Sequence, residues 1–91
     1  MGKAQIMLRR LLTSPYPKQI RFSDLERVLL FVGFTLHSKR GSHYNFKHPK
    51  LHYILTIVSH HQGNDVLPIY IINTARAIED LIERGYLNEK L

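Results

Sequence analysis

At Gly33 the spacing of apolar residues changes from about 3.6 to 2, so helices must precede the first strands of this chain. Upstream, Leu25, Val28, Leu29 and Val32 form one helical stripe. Ser23-Asp24-Leu25-Glu26 has the capping-box form, which places the start of that helix at Ser23. Gly33 suits the left-handed geometry of its stop. Further upstream, Ala4, Met7, Leu8 and Leu11 predict a short amphipathic helix over residues 3–13. Ser14-Pro15-Tyr16-Pro17 breaks it, because proline removes a backbone donor and disfavours helix in the residue before it.

Downstream, Phe34, Leu36 and Ser38 alternate with Thr35, His37 and Lys39, and Lys39-Arg40-Gly41 supplies a turn, which together predict a hairpin. In the return strand Tyr44 and Phe46 fall on one face, and His43, Asn45 and Lys47 on the other, until Pro49 ends it. Leu51 to Ser59 is rich in branched and aromatic residues and reads as a third strand, antiparallel to its neighbour across a short connection. His60 to Asp65 is a polar loop, and Pro68 fits the first turn of a final helix. Ile71, Ala75, Ile78 and Ile82 give that helix its core stripe, and Gly85 its stop. The order α-α-β-β-β-α predicts an α+β fold whose three-stranded antiparallel sheet takes helices on one face and leaves the other open.

A chain of 91 residues, 44% hydrophobic, can build one domain with one modest core. It has no cysteine, which removes thiol nucleophiles, iron–sulfur sites and disulfide frameworks. The lack of cysteine also argues against a small extracellular scaffold, so a cytoplasmic location is expected, and no apolar run nears the roughly 20 residues of a membrane span.

The net charge of +6 is unevenly spread. Residues 65–91 carry three basic and five acidic side chains. Between Glu26 and Asp65 there is no carboxylate, whereas Arg27, Lys39, Arg40, Lys47, Lys50 and all six histidines lie there. This segment attracts polyanions, as a nucleic-acid binder does, although ordinary surface charge gives the same count. It also leaves paired-carboxylate glycosidase chemistry and carboxylate-rich magnesium sites without ligands.

Gly41-Ser42-His43 is the most suggestive triplet, since an exposed imidazole beside Lys39, Arg40 and Lys47 can move protons near neutral pH. A plain surface histidine in a hairpin is the alternative. His60 and His61 are adjacent and would point opposite ways in extended chain, so a single metal would rarely take both. Combinations with His37, His48 or His52 are conceivable, but no His-Glu-x-x-His pattern or aspartate cluster supports them, and no metal or other cofactor is expected. Tyr44, Phe46 and Tyr53 could stack on bases, but Tyr44 and Phe46 share the face assigned to the core.

Phe22-Ser23-Asp24-Leu25-Glu26, Gly33-Phe34, the run Gly41 to Pro49, His61-x-Gly63-Asn64 and a final helix containing Tyr70 together resemble the HicA-type mRNA interferase toxins of toxin–antitoxin systems. The resemblance is to a longer subgroup, with residues 1–18 as an N-terminal helical extension and residues 19–91 as the core. It implies a double-stranded-RNA-binding-domain-like fold and metal-independent cleavage of mRNA by a catalytic histidine, here His43. It also implies a HicB-type antitoxin as protein partner. RNA would be held by Lys39, Arg40, Ser42, Asn45, Lys47, Lys50, His60 and His61, with His60, His61 and Lys47 as alternatives for the proton donor. A noncatalytic RNA-binding module, or a protein whose open sheet face docks another chain, would share the same fold.

Overall fold

The computed structural model describes residues 2–60 and 65–87. Its elements run α1 (Lys3–Leu12), α2 (Phe22–Phe31), β1 (Thr35–Arg40), β2 (His43–Lys47), β3 (Leu55–Val58) and α3 (Pro68–Glu83). The sheet has the order β1-β2-β3 with both pairings antiparallel, which is the α+β architecture expected from the spacing of apolar residues.

On the helix-facing side of the sheet, Tyr44 lies opposite Ile57 and Phe46 opposite Leu55, and all four are buried. Phe22 of α2 meets the Tyr44 ring with centroids 4.4 Å apart. Leu25, Val28 and Leu29 of α2 and Ile71, Ala75, Ile78 and Leu81 of α3 complete the core, with Ile82 packed against it partly buried. Leu8 and Leu11 of α1 belong to the same core, so this helix is part of the folded unit. The Tyr16 hydroxyl donates to Glu79 Oε1 at 2.9 Å and ties the segment after α1 to α3. That bond raises the phenol above its ordinary 10.0, with desolvation adding to it. Its contribution to stability is therefore full below pH 10 and lost as pH rises through the raised value.

The start of α2 differs from the capping-box expectation. The helix begins at Phe22 with Arg21 as N-cap, and no side chain caps it. Tertiary pairing sets this register: the Val66 amide donates to the Ile20 carbonyl at 3.0 Å, and the backbones of Arg21 and Asp65 pair in an isolated antiparallel β-bridge. These contacts fix the chain just ahead of Phe22, whose ring must enter the core, and Ser23 falls inside the helix.

The third strand is also shorter than the Leu51–Ser59 stretch that composition suggests. After β2 the chain turns, with the Leu51 amide donating to the His48 carbonyl at 3.1 Å. Leu51 is buried as a plug in this connection, and pairing with β2 resumes only at Leu55.

His48 joins this turn to the end of α2. The Lys50 amide donates to its Nδ1 at 3.1 Å, so the ring proton sits on Nε2 and is donated to the Val32 carbonyl at 3.0 Å. His48 is buried with both nitrogens engaged, a structural role that removes it from the candidate metal ligands. Gly33 has φ +103°, and a Cβ there would stand 2.9 Å from His48 Nε2. Gly33→Ala should therefore cost more than about 1 kcal/mol in urea unfolding. Gly85→Ala, at the equivalent helix stop with φ +80° and open space around it, should cost less; equal losses would show that the His48 contact is immaterial.

Candidate functional site

The open face of the sheet is built from cross-strand rows. In β1–β2, Thr35 pairs with Lys47 and Leu36 with Phe46, but the next partners are Ser38 with Asn45, Lys39 with Tyr44 and Arg40 with His43. His37 is the extra residue of a β-bulge, and a bulge reverses the facing of everything beyond it. Leu36 and Ser38 therefore lie on opposite faces, contrary to simple alternation along residues 34–39. Ser38 and Arg40 share the open face with Asn45 and His43, while Lys39 sits on the helix side with its Nζ 5.0 Å from the Tyr44 ring centroid. The expected grouping of Lys39 with His43 is thus corrected, and Arg40 is the cation directly across from the imidazole.

The hairpin turn is Gly41-Ser42, with φ +58° at Gly41 and no positive φ at Ser42, which fits a type II′ turn. This tight turn places His43 as the first residue of β2, exposed, between Arg40 on β1 and Val58 on β3. Ser42 Oγ lies 3.0 Å from His60 Nδ1, just past β3.

The next row is a polar ladder across all three strands. Thr56 donates its hydroxyl to Asn45 Oδ1 at 2.6 Å, and Asn45 donates through Nδ2 to Ser38 Oγ at 3.1 Å. Both ends of the Asn45 amide are thereby committed to neighbouring strands, leaving limited hydrogen-bonding capacity for a ligand. Ser38 and Thr56 were not legible as members of this face, because the bulge hides one and the ambiguous facing of the third strand hides the other.

Lys47 is exposed on the open face beyond this ladder. Lys50 lies outside the strands, with its Nζ 5.4 Å from the Tyr86 ring centroid near the end of α3. His43, Arg40 and Asn45 are therefore brought together, with Ser42 and His60 at one end and Lys47 at the far end of the same face, whereas Lys39 and Lys50 stand apart. His61 lies outside the described residues, as does the Gly63-Asn64 part of the motif. Among the described residues no group of three or more histidines and carboxylates is arranged to hold a metal ion.

These features define a small α+β domain that presents a sheet face without carboxylates, where an exposed imidazole stands opposite a guanidinium. A family model described as HicA toxin of bacterial toxin-antitoxin matches residues 22–78, more than half of the chain. The chain belongs to this HicA toxin family, which gives it a toxin role and implies an antitoxin as its partner. Comparison with curated proteins and with solved structures returned no match. No helix among the described residues is long and apolar enough to cross a membrane.

Proposed function

We propose that this toxin is a metal-independent endoribonuclease, an mRNA interferase acting in the cytoplasm, with His43 as its catalytic base. The observation that carries the reading is the exposed His43 imidazole directly opposite Arg40 on an open polar face, in a chain of the HicA toxin family. RNA supplies its own nucleophile in the 2′-hydroxyl, so cleavage needs a base for that proton and cations for the charge that develops on phosphorus. His43 takes the first task and Arg40 the second. Lys47, Lys39 and Lys50 add attraction for the phosphate backbone, and Ser42, Asn45, His60 and His61 add polar contacts. A HicB-type antitoxin is the partner that holds the activity in check. In this reading residues 19–91 correspond to the HicA-like unit and residues 1–18 to an N-terminal helical extension, whose Leu8 and Leu11 pack into the same hydrophobic core.

Two measurements test this reading. An RNA with a single 2′-deoxy nucleotide at the cleavage site should resist cut at that position, because the nucleophile is gone, while EDTA should leave the rate unchanged. Cleavage of the deoxy position would contradict the mechanism. RNA affinity should fall with salt, each phosphate contact contributing about 0.7 to the slope for a single strand. Replacing Arg40 and Lys47 should lower the slope by about 1.4, and replacing Lys39 and Lys50 by less. An unchanged slope in the first variant would move the RNA surface elsewhere.

A further inference from the structure

His60 makes a contact that the proposed cleavage has not yet used. Its Nδ1 lies 3.0 Å from Ser42 Oγ, and the Ser59 amide donates to the Ser42 carbonyl at 2.9 Å. The backbone bond carries the β2–β3 pairing one residue past His43 and Val58. Ser59 is buried and His60 exposed, so the alternation of β3 continues and His60 follows Val58 onto the face that bears His43. The two histidines are then diagonal neighbours on antiparallel strands, about 7–8 Å apart. A phosphodiester held between two hydrogen bonds of about 2.8 Å fits that separation.

The other cations of the face are poorly suited to give up a proton at this point. Arg40 stands across from His43, but a guanidinium does not deprotonate in proteins. Lys47 is four residues along β2 from His43, about 13 Å away by the rise of a strand.

We infer that His60, oriented by Ser42, is the general acid of the cleavage, an assignment that rests on the endoribonuclease reading above. In its cationic form His60 donates Nδ1–H to Ser42 Oγ and turns Nε2–H toward the substrate. His43 removes the proton of the 2′-hydroxyl, and the 2′-oxygen forms a bond to phosphorus. The bond from phosphorus to the 5′-oxygen breaks, and the departing oxygen takes the Nε2 proton of His60. One proton is accepted and one delivered, leaving a 2′,3′-cyclic phosphate and a free 5′-hydroxyl. Neutral His60 then accepts a hydrogen bond from Ser42, since a hydroxyl can rotate from acceptor to donor. Ser42 is a positioning residue that holds the ring in both protonation states.

The test compares two RNA substrates of the same sequence, one with the natural 5′-oxygen at the cleaved bond and one with a bridging 5′-sulfur, which leaves without a proton. Under single-turnover conditions His60→Ala and His60→Gln should slow cleavage of the oxygen substrate by about 10²-fold or more, and of the sulfur substrate by less than about tenfold. Cleavage of the sulfur substrate also shows that the variants are folded. Ser42→Ala should give a smaller loss with the same substrate dependence, and Ser42→Thr, which keeps the hydroxyl, should restore the rate. Equal losses on both substrates, or no loss on either, would overturn the assignment of His60. His43→Ala should lose activity on both, so the base assignment stands or falls separately. A wild-type protein that cleaves neither substrate would overturn the endoribonuclease reading and the acid with it.

Discussion

Replacing His43 by alanine should slow RNA cleavage by about 10²–10⁴-fold, the range that positioned proton transfer supplies. The effect should be confined to chemistry. His43 is exposed at the start of β2 and lies outside the hydrophobic core, so the fold should survive its removal. Arg40 and Lys47 keep their charge in the variant, so affinity for RNA should change little. Growth should follow the same division: the wild-type chain expressed without an antitoxin should arrest cells, and the alanine variant should be tolerated. A variant that binds RNA poorly as well would mean that His43 holds the substrate rather than activating it.

The second large effect is expected at Phe46, which is fully buried under the sheet between Asn45 and Lys47. Phe46→Ala removes a ring from the centre of the core and should cost about 3–5 kcal/mol. For a domain whose whole stability is about 5–15 kcal/mol, that loss endangers folding at physiological temperature. The site would suffer with it, because Phe46 anchors the middle of the strand that holds His43 and the Asn45 ladder in register with β3. Urea denaturation of the two proteins side by side gives the measurement. A loss below about 1 kcal/mol would show that the core beneath the sheet collapses around the gap more easily than its packing implies.

Much of this architecture is legible in the sequence because local signals and tertiary demands agree. Gly33 ends α2 with a positive φ, Pro68 opens α3 at its first position, and Gly85 ends it, all as residue chemistry dictates. The facing of β2 follows from strict alternation, with Tyr44 and Phe46 inward and His43 and Lys47 outward. Where the reading departs, a long-range contact overrides a local one. The Ile20–Val66 and Arg21–Asp65 pairings displace the capping box at Ser23, and the buried Leu51 shortens the third strand. The bulge at His37 carries no glycine or proline to announce it, yet it exchanges Lys39 for Arg40 beside His43. Likewise the Ser42–His60 contact joins residues 18 apart through a strand pairing, and spacing along the chain cannot show it.

His43 and the charge around it were accessible because the Gly41-Ser42-His43 turn and the carboxylate-free stretch are local features. The role of Asn45 was not, since its side chain reads as free until Ser38 and Thr56 are seen to occupy both ends of the amide.

The most direct test of the account is the cleavage of a defined single-stranded RNA by rigorously purified wild-type protein, with the His43→Ala protein prepared in parallel to control for contaminating ribonuclease. The wild-type chain should yield fragments ending in 2′,3′-cyclic phosphate, and the variant should be slower by about 10² or more while binding the same RNA. Equal cleavage by the two preparations, or none by either at concentrations where both bind RNA, would contradict it and leave a noncatalytic RNA-binding module in its place.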